Sequence, residues 1–220
     1  KIKRMGRGRV RTKLTFKKVV SLGFLFFGIF CLYIGILFLT TNLPDVDDIT
    51  GFNIAESTKL YDREGEVLFY EIYKEEKRTV VPAEDIPDVL RDATVSMEDN
   101  SFYEHGAFDW RGLVRALFVN VLRGRVVQGG STITQQLAKN TFLSPERTIT
   151  RKLREAVLAI KLEQKYSKDD ILNLYLNEVP YGPNIYGVET AATAYFNKSA
   201  KDIDINEAET LAALPKAHSY

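Results

Sequence analysis

The pattern of apolar and polar positions separates a long apolar run near the start of the chain from everything after it. From Val19 to Leu39 nearly every residue is apolar, and no charged residue appears again until Asp45. As an α-helix this run would be roughly 31 Å long, which matches the hydrocarbon core of a bilayer. The run therefore predicts a transmembrane helix over residues 19–40. A cleaved signal peptide is the alternative, but its apolar region would be shorter, and no A-x-A cleavage pattern follows Leu39.

Beyond this run the period of the pattern changes twice. Residues 41–57 are polar with an acidic cluster and predict a linker. Residues 59–73 alternate apolar and polar positions around an Arg-Glu-Gly turn, which is typical of a β-hairpin. After Pro87 the period becomes helical and stays so. Residues 58–220 are therefore predicted to form one domain that is mainly α, with a small β-hairpin element.

Cap residues and helical spacing together locate the individual helices. Asp109 is the expected N-cap of one helix, Ser167 with Asp170 has the capping-box pattern, and Asn206 with Glu209 signals the start of the last helix. The predicted helices cover residues 88–99, 109–123, 131–140, about 147–165, 168 onward, 186–196 and 206–214.

The apolar positions also predict which face of each helix is buried. In the 109–123 helix Leu113, Leu117 and Val121 share a face, and Leu117 is expected in the core. In the short helix after Gly130, Ile133 and Leu137 are expected to face the core. The buried stripe of the 147–165 helix is expected to hold Ile149, Leu153, Val157 and Ile160.

Charge is distributed very unevenly around the apolar run. Residues 1–18 carry nine Lys or Arg and no acid, whereas the rest of the chain has 21 basic and 29 acidic residues. A basic tail against a membrane span predicts a cytoplasmic N-terminus, with residues 45–220 outside, and favours lipid contact over nucleic-acid binding. The single cysteine, Cys31, excludes a disulfide within the chain. Two distant histidines argue against a structural zinc site.

Three stretches carry candidate chemistry, and the first is EDNSFYEHG, residues 98–106. Adjacent Glu98 and Asp99 follow an apolar helical run, and neighbouring carboxylates beside an apolar wall shift each other's ionisation, as a general base requires. A solvated helix end is the alternative, and the residues of this stretch alone favour that alternative.

The second stretch is QGGSTITQQLAKN, residues 128–140. Paired glycines let the backbone approach a ligand, and a helix N-terminus after such a loop suits a phosphate oxygen. Gln135 and Lys139 share a helix face, with Thr132 one turn before. A polar surface helix is the alternative, and the residues do not decide between the two.

The third stretch is RKLREAVLAIKLE, residues 151–163. Arg151 and Lys152 stand four and three residues before Glu155, so they can form intrahelical ion pairs worth only ~0.2–0.5 kcal/mol each. A solvated helix face is the ordinary interpretation of such a cluster. The functional alternative is a cationic site for a diphosphate, positioned by the carboxylate.

Taken in order, these three stretches resemble the successive signatures of family 51 glycosyltransferases, the lysozyme-like domain of class A penicillin-binding proteins and monofunctional peptidoglycan transglycosylases. Residues 168–182 and 207–217 resemble its later signatures, so the resemblance covers about residues 60–220. Among the departures, Asn197 stands where the family usually has glycine.

The resemblance implies a lysozyme-like glycosyltransferase fold and the inverting polymerisation of lipid II into β-1,4-linked glycan, with release of undecaprenyl diphosphate. It implies that Glu98 is the catalytic base and Glu155 the second essential carboxylate. Substrate binding is implied for Asp99, Phe102, His105, Thr132, Gln135, Gln136, Lys139, Asn140, Arg151 and Lys152. It implies no dedicated metal or cofactor, although Mg²⁺ or Mn²⁺ at the diphosphate is compatible with some members.

The same resemblance sets the expected surroundings of the protein. The expected partners are lipid II, the growing lipid-linked glycan, the bilayer and other cell-wall synthesis or division proteins, with no nucleic acid. The expected location is the bacterial cell membrane, with a single span and an extracytoplasmic catalytic domain. Apolar residues of the 108–127 segment are expected near the interface: Phe108, Trp110, Phe118, Val126 and Val127.

Two rival functions share some of these features. A lysozyme-like muramidase would share the fold and a lone glutamate but needs no cationic cluster. A non-catalytic membrane scaffold of the cell-wall machinery would not depend on Glu98. No Ser-x-x-Lys or Lys-Thr-Gly motif occurs in these residues, so a transpeptidase is not expected within them. The glycosyltransferase domain is expected to be C-terminally truncated at Tyr220.

Overall fold

The computed structural model describes residues 16–41, 58–61, 63, 68–72, 77–125, 129–144, 146 and 148–217. The chain divides into two compact units, residues 1–40 and 41–220. The first contains helix α1 (Phe16–Thr40), which is long and apolar enough to cross a membrane by length and composition. That it does so stays a prediction. The basic tail before residue 16 and the linker after Thr41 lie outside the described residues.

The predicted hairpin is present at the start of the second unit. Strand β1 (Thr58–Tyr61) pairs antiparallel with β2 (Leu68–Ile72), and Thr58 lies opposite Ile72. Residues 62 and 64–67, which include two of the three residues of the predicted turn, lie outside the described part of the chain. The alternating pattern thus found the strands because one pleated face repeats every two residues.

A second small sheet was not predicted from the sequence. Strand β3 (Lys77–Arg78) runs parallel to β5 (Ile185–Tyr186), which also pairs antiparallel with β4 (Pro180–Gly182). Strands of two or three residues are too short to show a period of two. Beyond β3 the chain is held by the Asn177 side chain, which accepts from Val81 N and donates to Val81 O, both at 3.0 Å.

Helices dominate the second unit, as predicted. They are α2 (Asp88–Glu98), α3 (Trp110–Arg123), α4 (Ile133–Phe142), α5 (Ile149–Lys165), α6 (Lys168–Glu178), α7 (Val188–Phe196) and α8 (Ile205–Ala217). Helix α4 packs against α5 and α6, and α2 packs against α8. The core between them contains the predicted Ile133 and Leu137 together with four residues of α6: Ile171, Leu172, Tyr175 and Leu176.

Two predictions of buried side chains are wrong. Leu117 is 65% exposed and Ile149 is 83% exposed. The fully buried residues of α5 begin only at Glu155 and include Leu158 and Leu162, so the start of the helix projects beyond the core. Helical spacing shows that an apolar face exists, but it does not show whether protein covers that face.

The predicted caps are confirmed with one exception. Asp109 accepts from Gly112 N, and Ser167 with Asp170 forms a capping box. The last helix begins earlier than expected: Asp204 Oδ1 accepts from Asn206 N at 2.9 Å, and Glu207 Oε2 accepts from Asp204 N at 2.9 Å. A carboxylate one residue before the helix therefore performs the capping that the sequence predicted for Asn206 and Glu209.

Asn197, which stands where the resemblance led us to expect glycine, ends α7 in the left-handed region with φ 55°. Asparagine is one of the few residues other than glycine that adopts this conformation readily. The substitution is therefore compatible with the same helix end.

Gly187 is a position where a side chain is expected to be destabilising. Its φ is 76°, and a Cβ there would lie 2.7 Å from Asn177 O, the backbone of the residue that holds Val81. We expect Gly187→Ala to lower the free energy of unfolding by about 1–3 kcal/mol. Chemical denaturation of Gly187→Ala beside Gly106→Ala, where nothing lies within 4 Å, would measure it. Equal midpoints for the two variants would contradict the prediction.

Candidate active site

Glu98 lies at the end of α2, where the helix meets α4. Its Oε2 accepts a hydrogen bond of 2.7 Å from Gln136 Nε2. Its Oε1 is buried and has no hydrogen-bond partner within the described part of the chain. A buried carboxylate oxygen without a donor is unusual and leaves one position open to accept a proton or a hydrogen bond.

The polar residues at the start of α4 hold the backbone together. Thr132 Oγ1 donates to Ala107 O at 3.0 Å and accepts from Gln135 N at 3.2 Å as the N-cap. Gln135 Nε2 donates to the same Ala107 oxygen at 3.2 Å. Both side chains are buried, so the Gly-Gly-Ser-Thr stretch fixes the start of α4 against the 98–109 segment.

A second set of hydrogen bonds in the same segment involves Asp99, His105 and Asp109. Asp99 accepts from Ile133 N at 3.2 Å and lies 2.8 Å from His105 Nε2. The Gly112 N–H, followed by other polar neighbours, holds the pKa of Asp109 below its ordinary value. One possible metal-ligand atom from each of Asp99, His105 and Asp109 lies within 4.8 Å of the other two. The carboxylate oxygens of both aspartates, however, already accept hydrogen bonds within the protein.

Phe102 and Asn140 occupy different surroundings. Phe102 is fully buried in the core, with the Lys168 ammonium 4.3 Å from its ring centroid. Asn140 is half-buried on α4, directly after Lys139. Substrate contact by these two residues stays a prediction.

The charged cluster of α5 surrounds a buried carboxylate. Glu155 is 2% exposed and accepts from Arg151 Nη1 at 3.1 Å and from the Lys152 ammonium. Lys152 also donates to Ser131 Oγ at 3.2 Å, which links α5 to the loop before α4. Arg151 Nε is buried and lacks a partner within the described residues. A solvated helix face would not bury Glu155, so the functional interpretation of this cluster gains support.

Lys139 connects this cluster to Glu98. Burial lowers its pKa; Glu155 and Glu98 oppose that shift, whereas Arg151 and Lys152 add to it. The charges that act on Lys139 therefore come from both sides of α4, from Glu98 on α2 and from the charged cluster of α5. A cation whose charged form is disfavoured by burial is well placed to gain an anionic ligand.

Tyr175 is a neighbour of the site that the sequence-based analysis did not identify. Its hydroxyl lies 3.4 Å from Gln136 Oε1, and the residue is completely buried. Burial, followed by the charge of Glu98, raises the pKa of Tyr175 well above its usual range. The available signal was a tyrosine on the apolar stripe of a helix, because a buried phenol normally has a hydrogen-bond partner.

Comparison with known sequences shows to which family the chain belongs. The sequence model of a family described as transglycosylase matches residues 65–220. The chain belongs to the transglycosylase family. This membership confirms the predicted class, a peptidoglycan glycosyltransferase domain of the penicillin-binding protein type.

Individual relatives of this transglycosylase chain agree with the family match. The chain is 43% identical over 197 residues to penicillin-binding protein 1A of Neisseria flavescens and 44% identical over 197 residues to that of Neisseria gonorrhoeae, with 90% of this chain and 24% of each relative covered. It is 43% identical to penicillin-binding protein 1A of Aquifex aeolicus over 193 residues, covering 86% of this chain and 26% of the relative. The chain thus spans about a quarter of the length of these relatives.

Proposed function

We propose that this transglycosylase chain polymerises lipid II into β-1,4-linked glycan strands, with inversion and release of undecaprenyl diphosphate, in bacterial cell wall synthesis. One observation carries the proposal beyond family membership. Glu98, a carboxylate with an open oxygen, and the cations Arg151 and Lys152 all act electrostatically on Lys139, which lies on α4. A base and an anion site are the two components that sugar transfer from a diphosphate requires.

In the proposed reaction Glu98 takes the proton of the acceptor sugar's 4-hydroxyl. That oxygen forms a bond to the donor's anomeric carbon, while the bond from this carbon to the diphosphate breaks. The bonding electrons leave with the diphosphate, and the configuration at carbon inverts. Glu98 Oε1 is the oxygen assigned to the proton, because Oε2 is occupied by Gln136.

The departing diphosphate is assigned to the cationic cluster. Arg151 has a buried Nε without a partner within the described residues, and Lys139 gains stability for its charged form when an anion binds. Glu155 positions Arg151 and Lys152 through an ion pair with each of them. Both Glu155 oxygens accept from these cations, so the residues around it do not fit a dedicated cage for Mg²⁺ or Mn²⁺. We therefore assign stabilisation of the departing diphosphate's charge to Lys139, Arg151 and Lys152 alone.

The proposed site works at a bilayer surface, with α1 as a single-pass anchor, a cytoplasmic N-terminus and an extracytoplasmic domain. Helix α3 supports this proposal because its apolar face is open to solvent and carries basic residues, Arg111 and Arg115, beside it. Such a helix binds in the interface plane of a membrane. Its exposed apolar residues are Trp110, Leu113, Val114, Leu117, Phe118, Val121 and Leu122. Other cell-wall synthesis or division proteins are proposed as partners.

The single tryptophan of the chain provides a test of the membrane contact. We expect Trp110 emission from the chain reconstituted in vesicles to be quenched by lipids brominated on the acyl chain, because the α3 face lies among them. Replacing Leu117 and Phe118 by serine is expected to reduce this quenching, whereas Ile205→Ser, at an exposed apolar position on α8, is expected to leave it unchanged. Equal quenching in all three proteins would contradict the interfacial placement.

The polymerisation itself is tested by incubating the chain with lipid II and separating the products by size. Glycan polymer with release of undecaprenyl diphosphate supports the proposal. Cleavage of finished glycan without polymerisation would instead show a muramidase. Failure to do either would overturn the assignment of an active site to this chain.

A further inference from the structure

The side-chain amide of Gln136 lies between the carboxylate of Glu98 and the hydroxyl of Tyr175. Its Nε2 donates to Glu98 Oε2 at 2.7 Å, and its Oε1 lies 3.4 Å from the hydroxyl of Tyr175. The three side chains come from α2, α4 and α6 and form one hydrogen-bonded series. The family resemblance implied substrate binding by Gln136, which stays a prediction; in the structure its amide contacts these two protein groups.

The orientation of that amide determines whether a hydrogen-bond donor or an acceptor faces the Glu98 carboxylate. Rotated by half a turn, Gln136 would present its carbonyl oxygen to the carboxylate, and two acceptors would face each other. The ionised carboxylate of Glu98 only accepts, so it favours the orientation in which Nε2 faces it, and the Tyr175 hydroxyl, 3.4 Å from Oε1, adds a donor for the oxygen that this orientation turns toward it. Tyr175 is suited to this because it is completely buried on α6, and burial raises its pKa so that the phenol keeps its proton.

We propose that Tyr175 is a positioning residue that acts through Gln136 to hold Glu98 with Oε2 bonded and Oε1 free for the substrate proton. The proposal rests on the proposed function of Glu98 as the base. It assigns Tyr175 no contact with substrate. A tyrosine that only filled the core would need its ring and not its hydroxyl, so Tyr175→Phe separates the two roles.

The kinetic test compares polymerisation of lipid II by the wild-type chain and by Tyr175→Phe. We expect kcat to fall about tenfold, a part of the ~10²–10⁴-fold that a positioned base contributes, with KM within twofold. Tyr195→Phe is the matched control, since its hydroxyl donates to Tyr181 O at 3.0 Å elsewhere in the domain, and its kcat is expected to stay within twofold. In a Gln136→Ala background Tyr175→Phe is expected to change kcat less than twofold. Equal effects in both backgrounds, or no effect in either, would overturn the proposal.

A second measurement does not depend on activity. With ¹⁵N-labelled glutamine, the side-chain amide signals of Gln136, assigned by their loss in Gln136→Ala, report its hydrogen bonds. We expect a downfield, slowly exchanging proton in the wild type, and at least about fivefold faster exchange in Tyr175→Phe but not in Tyr195→Phe. Unchanged exchange in Tyr175→Phe would refute the positioning role. If the wild type forms no polymer, the proposed function fails, while this measurement still decides on Tyr175.

Discussion

Glu98→Gln is expected to reduce polymerisation of lipid II by at least about 10²-fold, because an amide cannot take the proton of the attacking hydroxyl. The substitution preserves shape, and a carbonyl oxygen at the Oε2 position can still accept from Gln136 Nε2. The fold and the affinity for lipid II are therefore expected to change little. Single-turnover rates and the binding of lipid II, measured on the same preparation, would separate the two effects.

Glu104→Gln is the matched control for this experiment. Glu104 is an exposed acid six residues further along the same stretch, and no role in the chemistry is assigned to it. Its rate is expected to match that of the wild type. A Glu98→Gln protein with at least a tenth of the wild-type polymerisation rate would contradict the assignment of Glu98 as the base.

The second large effect is expected from Glu155→Gln. Both oxygens of this buried carboxylate accept from cations, and the substitution leaves one acceptor for Arg151 and Lys152 and removes the negative charge. Because these cations then lose their fixed positions, we expect kcat/KM to fall by about 10²-fold or more, the size seen when one preorganised electrostatic group is removed. Steady-state polymerisation, with thermal unfolding as a check on folding, measures it.

Glu163→Gln provides the comparison on the same helix. Glu163 also pairs with a lysine, Lys168, at 2.8 Å, and accepts from Thr134, but it is not among the largest influences on the pKa of Lys139. Glu163→Gln is therefore expected to affect folding without reducing kcat/KM more than a few-fold. Equal losses of kcat/KM in the two variants would show that Glu155 acts through stability alone.

The sequence motifs predicted some features of the site and not others. Glu98 and Glu155 were identified by the order of three motifs, because residue types at fixed spacing are written in the chain. Local spacing also predicted the pairs of Glu155 with Arg151 and Lys152, which lie within one helical turn. The contact of Gln136 with Glu98 joins residues 38 positions apart, and no periodicity encodes it.

The errors have one physical origin. Leu117 and Ile149 occupy apolar positions with correct helical spacing, yet both are exposed. A hydrophobic face lowers its free energy against protein or against lipid, so the pattern alone does not name the surface that covers it. The second sheet was missed because its strands have only two or three residues, and because its parallel pairing, β3 with β5, joins residues more than a hundred positions apart.

The sequence by itself determined the apolar helix, the hairpin, the mainly helical domain, the caps of two helices and the family. These depend on local periodicity, hydrogen bonds within a few residues and motif order, all of which are properties of neighbouring positions. Only the tertiary structure decided that Glu155 is buried, that Gln136 links Glu98 to Tyr175, and that α3 exposes its apolar face. Those features depend on which helices meet, and that follows from packing the whole chain at once.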